Sequence, residues 1–286
     1  MRLEHSRQPR PGTRPAGVLW PRAGPEVYET GREAVPDPAD LVVSHYWWVH
    51  WRRDRVTPFR AQVLGHPVLH LTVEDADGAM HGHDMPQALV HGVVTRLFTA
   101  DLPTAGRVAG VAFRPGGLAA LLDADVRALT GRVVTAATVF GMEIDHLRAA
   151  VLAEPEESVR LRLFADAVGQ LLAPRLDRVR EDGGYATVRT AVELMRQREQ
   201  VSLGPVAEAV ATSPRTLQRL FTRYVGVSPL SVLRRYRLQD AASAIDAGAG
   251  EDLAALAASL GFADQAHFTR AFTAMVGVPP SRYRAG

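Results

Sequence analysis

The chain of 286 residues is long enough for two domains of about 100–200 residues each, and its 47% hydrophobic and 22% charged content is that of a globular protein. It has no cysteine, which excludes a disulfide framework, thiolate catalysis and thiol-ligated metal centres, and all 33 basic residues are arginine. The net charge of +2 is unevenly spread: residues 202–237 hold six arginines against Glu208 alone, a pattern that points to a polyanion partner.

Residues 1–40 hold seven prolines and little periodic pattern, and read as a Pro-rich arm without the apolar core of a secretory signal. No apolar run approaches the roughly 18–20 residues of a membrane span, so a cytoplasmic protein with no membrane partner is expected. From Leu41 the composition changes. Residues 41–51, 61–64, 68–74, 89–99 and 107–113 are β-branched or aromatic, are broken by Gly, Pro or Asp, and read as strands. Helices are expected over 117–122, around 142–152 and from 158 to about 179. Residues 41–182 therefore read as a small β-barrel with helices after it. Arg114-Pro-Gly-Gly117 lacks the Lys-[Ser/Thr] of a nucleotide loop and reads as a strand-to-helix turn.

Seven of the ten histidines fall between 45 and 91. An organic effector pocket, a metal site and a purely dimerising domain are the readings open for such a barrel, with His66, His70, Trp48 and His91 as candidate ligand contacts. No carboxylate sits in a known ligand pattern, so neither a metal nor a cofactor is expected. A Trp-rich strand such as Tyr46-Trp-Trp-Val-His-Trp51 more often supplies core than pocket.

A polar break at Glu181-Asp-Gly-Gly184 starts the last unit, 183–286. Arg219-Leu-Phe-Thr-Arg-Tyr-Val-Gly-Val-Ser-Pro229 matches Arg270-Ala-Phe-Thr-Ala-Met-Val-Gly-Val-Pro-Pro280 at seven of eleven positions, with an offset of 51 residues. Each copy reads as helix–turn–helix. In the first, Leu203–Ala211 precedes a helix that Ser213 caps, that Pro214 opens and that Gly226 ends. In the second, Leu253–Leu260 precedes a helix that begins near Ala263-Asp264 and stops at Gly277. A long helix from Pro229 to about Ala247 joins them; its 18 or so residues span about 27 Å at 1.5 Å per residue. The outward faces of the second helices carry Arg215, Gln218, Arg219 and Thr222, and Gln265, His267 and Arg270. Arginine bonds guanine bidentately and glutamine adenine, so these faces suit major-groove readout; Thr216, Arg223, Ser281 and Arg282 suit phosphate contact.

Residues 184–286 resemble the DNA-binding domain of AraC/XylS-type transcriptional regulators. The resemblance rests on Ser213-Pro-Arg-Thr-Leu-Gln-Arg-Leu-Phe221, Gly226-Val-Ser-Pro229, Leu260-Gly-Phe-Ala-Asp-Gln-Ala-His-Phe-Thr-Arg-Ala-Phe272 and Gly277-Val-Pro-Pro-Ser-Arg-Tyr283. It implies base contacts at Arg215, Gln218 and Arg219 in the first unit and at Gln265, Ala266, His267 and Arg270 in the second. Ala266 departs from the polar residue common there and suits a thymine methyl. The N-terminal segments Tyr46–Trp51, His66–Glu74 and Val108–Gly117 resemble a domain of uncharacterised ligand found in actinobacterial members. The resemblance implies an α+β protein with a cupin-like sensor barrel and an all-α double helix-turn-helix. Its expected partners are a double-stranded DNA operator, a small-molecule effector, a second copy of the chain and, for an activator, RNA polymerase. The alternative set beside it is a barrel-domain enzyme, a hydrolase or isomerase, fused to a DNA-binding domain.

Overall fold

A computed structural model describes residues 18–20, 28–33, 35, 38–53, 59–197, 202–248 and 252–285. Most of the segment expected to be an arm lies outside these residues. Within it, Val18–Trp20 (β1) and Tyr28–Glu33 (β2) are strands rather than draped chain. They escape a sequence reading because an edge strand needs no apolar alternation, and Tyr-Glu-Thr-Gly-Arg-Glu has none.

The β domain continues with Val43–Arg52 (β3), Phe59–Val63 (β4), His70–Ala76 (β5), Gln87–His91 (β6), Phe98–Leu102 (β7), Ala105–Phe113 (β8) and Val133–Thr135 (β9). The strands form a six-stranded antiparallel sheet, ordered β2-β3-β8-β5-β6-β9, and a three-stranded sheet, ordered β1-β4-β7. The single strand expected over 89–99 is two strands that belong to different sheets, the first ending at His91 and the second starting at Phe98. The two sheets face one another across a cavity, so the expected small barrel takes this form.

Side-chain alternation divides the large sheet cleanly. On β5, His70, Thr72 and Glu74 face the cavity, while Leu71 and Val73 join the main core with Tyr46, Val111 and Phe113. The tryptophans of β3 each lie across a glycine of the adjoining strand: Trp48 pairs with Gly31, Trp47 with Gly110 and Trp51 with Gly106. A Cβ at those glycines would stand 2.4, 2.4 and 2.2 Å from the indole. A slip of β3 by one residue would set each ring against a side chain, so these pairs fix its register.

Helices cover the opposite face of the sheet: Gly117–Leu122 (α1), Ala136–Phe140 (α2), Glu143–Ala153 (α3), Glu157–Leu172 (α4) and Leu176–Glu181 (α5). The one helix expected from 158 to 179 is broken at Ala173–Arg175 by a 3-10 turn that contains Pro174. Gly116, at φ 85°, opens α1, and a Cβ on Gly117 would meet the Val42 carbonyl oxygen at 2.5 Å, which is why two glycines stand at this strand-to-helix turn.

The last unit is all helical: Gly183–Arg196 (α6), Leu203–Ala209 (α7), Pro214–Tyr224 (α8), Pro229–Asp246 (α9), Leu253–Ser259 (α10), Gln265–Val276 (α11) and Pro280–Ala285 (α12). Asp182 caps α6 at the expected break, accepting from the Tyr185 amide at 3.0 Å. The cores do not separate there. One buried cluster runs from Val42, Leu118 and Phe164 through Tyr185 and Val188 to Leu217, Phe221 and Tyr236. The second helix-turn-helix has its own cluster around Phe268, Phe272 and Tyr283, but this also takes in Leu64 from the end of β4.

Candidate nucleic-acid interface and the cavity beside it

The first helix-turn-helix is α7 and α8. Ser213 Oγ accepts from the Thr216 amide at 3.1 Å and Pro214 occupies the first turn, as the sequence dictates. Leu217, Phe221 and Tyr224 recur at helical spacing and are buried; Leu220 is half-buried. The opposite face leaves Arg215, Gln218 and Arg219 exposed, with Thr222 half-buried and its hydroxyl bonded back to the Gln218 carbonyl at 2.9 Å. The second copy, α10 and α11, repeats this. Asp264 caps α11 by accepting from the His267 amide at 2.6 Å, and Phe268, Phe272 and Val276 point inward. Gln265, Ala266 and Arg270 are exposed. His267 is half-buried, its ring edge-on to Phe262 at 5.5 Å between centroids, so it presents less of itself than its neighbours.

The expected phosphate contacts are less uniform. Ser281 and Arg282 are exposed at the start of α12. Thr216 is half-buried and takes the Ser213 hydroxyl hydrogen at 3.0 Å. Arg223 pairs with Asp123 of the β domain at 2.6 Å and lies over the Tyr224 ring.

The connecting helix α9 runs for 18 residues, with Leu233, Leu238, Ala241, Ala242 and Ile245 buried. Leu230, expected inward, is 50% exposed because it falls on the first turn, beyond the packed stripe. Of the six arginines in the basic segment, Arg235 does not belong to a solvent-facing stripe. It is 3% exposed and donates from Nη1 to the Gly65 carbonyl at 2.7 Å and from Nη2 to the Val94 carbonyl. Burial pulls its guanidinium down to about 10. Gln239, one turn on, donates to the Leu64 carbonyl at 3.1 Å. Both the charge of Arg235 and the amide of Gln239 are thus spent on backbone of the β domain.

The Gly65 and Val94 carbonyls belong to the rim of the cavity between the sheets, a space of about 260 Å³. Its wall is mainly apolar, with Trp47, Val49, Trp51, Phe98 and Leu102 among the contributors. His66, His70 and His91, the candidate ligand contacts named from the sequence, line it together with His45 and His81. Trp48 does not. β3 turns Trp47, Val49 and Trp51 toward the cavity, and alternation sends Trp48 to the helical side, against the main core. Trp47 Nε1 donates to His70 Nδ1 at 3.2 Å. Burial, reinforced by neighbouring positive groups, lowers the imidazoles of His45 and His66 to about 4 and that of His70 to about 3, so this end of the cavity holds neutral rings.

The opposite end holds a carboxylate that the sequence reading overlooked. Glu74 is 2% exposed; its Oε1 accepts from Thr72 Oγ1 at 2.7 Å and lies 2.8 Å from His91 Nε2. Burial alone would raise this carboxyl, but hydrogen bonds and charge from His81 and His91 hold it well below the usual range. The signal for Glu74 was present in the alternation His70-x-Thr72-x-Glu74, which puts three polar side chains on one face of a strand otherwise made of Leu and Val.

A helix-turn-helix domain model matches residues 206–286, and a model for a domain of unknown function, DUF6597, matches residues 36–135. The arabinose operon regulatory protein of Escherichia coli is 31% identical over 122 residues, 42% of this chain and 39% of that protein. Its counterpart from Salmonella typhimurium is 29% identical over 159 residues, 55% of this chain and 52% of that one. The aligned regions thus span about two fifths to one half of these relatives. A transcriptional regulator structure from Chromobacterium violaceum, described by its AraC-type DNA-binding domain, is 27% identical over 36% of this chain and 93% of that one, with a TM-score of 0.33.

Proposed function

We propose that the chain is a sequence-specific DNA-binding transcription regulator of the AraC type that reads two successive major grooves, a reading supported by the helix-turn-helix match at residues 206–286 and by the likeness to the arabinose operon regulatory proteins. The observation that carries this is the duplicated unit, which exposes Arg215, Gln218 and Arg219 on one helix and Gln265, Ala266 and Arg270 on its repeat. The strut between them, about 27 Å at 1.5 Å per residue, is of the order of one DNA turn, about 34 Å. Residues 183–286 act as the reader and 41–182 as the regulatory part.

We assign the cavity an effector with an apolar body and few hydrogen-bonding groups, because aromatic and aliphatic side chains surround a small number of neutral imidazoles. A homodimer through the helices that cover the sheet fits Leu163 of α4, 40% exposed. No helix among the described residues is long and apolar enough to cross a membrane, and the protein acts where its operator is, in the cytoplasm. RNA polymerase is its partner where it activates. The enzyme alternative has no observation in its favour.

Selection of bound duplexes from a random-sequence library, followed by fluorescence anisotropy on the selected site across a salt series, tests the proposal. A two-part consensus with half-sites about one turn apart and a steep salt dependence is expected. Binding that is weak, insensitive to salt and indifferent to sequence would refute it.

A further inference from the structure

Glu74, His81 and His91 each bring a ligand atom to one place, and these atoms lie within 4.8 Å of one another. They come from three elements. Glu74 is on β5, His91 is at the end of β6 with its ring reaching back past Thr72, and His81 is in the connection between the two strands. His81 holds φ at 54°, ahead of Gly82 at 81°, in a turn closed by reciprocal Met80–His83 backbone bonds of 3.0 and 2.8 Å. That turn brings His81 Nε2 to 3.4 Å from Glu74 Oε2, while His91 Nε2 is 2.8 Å from Oε1. The two imidazoles meet edge to face at 4.9 Å, and Phe98 packs against both.

We infer that Glu74, His81 and His91 form a binding site for one divalent first-row transition-metal ion, with its remaining coordination positions open to the cavity. Three observations converge on it. Oε1 of Glu74 is satisfied by Thr72, but Oε2 is buried and makes no well-formed hydrogen bond, its contact with His81 Nε2 being 3.4 Å long. A carboxylate oxygen left so in an apolar wall is costly unless a cation meets it. The donors are two imidazole nitrogens and one carboxylate oxygen, a set that suits zinc and its neighbours and is poorly matched to magnesium or calcium, which take oxygen throughout. All three residues line the cavity, so a fourth ligand would come from water or from a bound small molecule. The competing arrangement is a plain ion pair, with protons on the imidazoles and no metal.

The site does not depend on the DNA-binding proposal. The test uses the untagged full chain, stripped with chelator and desalted, with Co²⁺ followed by its visible absorption and Zn²⁺ by isothermal titration. We expect one equivalent per chain, the same site for both ions, and a Zn²⁺-dependent rise in melting temperature. Glu74→Gln, which preserves the Thr72 contact, and His81→Gln, in the connection between β5 and β6, each weaken binding roughly tenfold or more, whereas exposed His146→Gln leaves it unchanged. Circular dichroism establishes that each variant is folded. Absence of saturable Co²⁺ binding to the wild-type chain overturns the inference without recourse to any variant, and equal affinity in wild type, Glu74→Gln and His81→Gln overturns it for these ligands.

Discussion

Arg235 is the place where one substitution separates the two parts of the molecule most directly. Its guanidinium is buried and donates to two carbonyls on the cavity rim, Gly65 and Val94. Hydrogen bonds from a charged donor are worth about 1.5–3 kcal/mol each, so the pair contributes about 3–6 kcal/mol. Burial lowers the group to about 10, and this desolvation offsets part of that gain. Leucine would return roughly 1.5–3 kcal/mol through apolar burial. Arg235→Leu is therefore expected to cost about 2 kcal/mol net, most of it from two carbonyls stranded without donors. Urea unfolding is a suitable assay because all four tryptophans lie in the first 51 residues, so their fluorescence follows the β domain while ellipticity follows the helices. The two signals should coincide in the wild type, whose main core crosses from one part to the other, and should diverge in the variant. The exposed neighbour provides the control: Arg234→Leu is expected to change stability by less than about 0.5 kcal/mol. If the two substitutions have the same effect, Arg235 is not a fastening.

On a selected operator, Arg219→Ala and Arg270→Ala should each cost about 1–3 kcal/mol and add in the double variant, read by anisotropy; equal losses on a scrambled duplex would show contact with phosphate alone. Gly226 and Gly277 occupy the same position in the repeat, at φ 83° and 87°, so alanine strains both by roughly 1–2 kcal/mol. Only at Gly226 would the Cβ meet Thr130 Oγ1, at 2.5 Å, so Gly226→Ala should lower the melting temperature further than Gly277→Ala. For pH, an unfolded histidine takes up a proton below about 6.5, whereas folded His70 does so only near 3. Its contribution to stability is thus complete above 6.5 and is lost as the pH falls toward 3, by up to about 1.4 kcal/mol per unit. Melting temperatures measured from pH 7.5 to 5 should fall, and His70→Gln should flatten the slope.

The helical half was legible because its determinants are local. Ser213 and Asp264 as caps, Gly226 and Gly277 as stops, and aromatic residues at helical spacing each act within one or two turns. The β half was legible as strands but not as a topology, since which strand pairs with which depends on residues far apart in sequence. Residues 89–99 look continuous, yet the chain leaves one sheet after His91 and enters the other at Phe98. The Glu74, His81 and His91 cluster was hidden for the same reason: its spacing has no motif, and only pairing of β5 with β6 and the turn at His81 bring it together. Arg235 read as one cation among six because a sequence does not show which way a helix faces a neighbouring domain.

The tryptophan–glycine pairs of β3 carry a consequence for what the cavity admits. Trp47 and Trp51 lie down over Gly110 and Gly106 on its floor, whereas Trp48 lies over Gly31 on the far side of the sheet. An alanine at Gly106 or Gly110 would tilt an indole upward into the space; the same change at Gly31 would press on the helices instead. The room available to an occupant is therefore governed by two residues that never touch it. Related chains that differ at those two positions would accept smaller molecules while keeping every side chain of the wall.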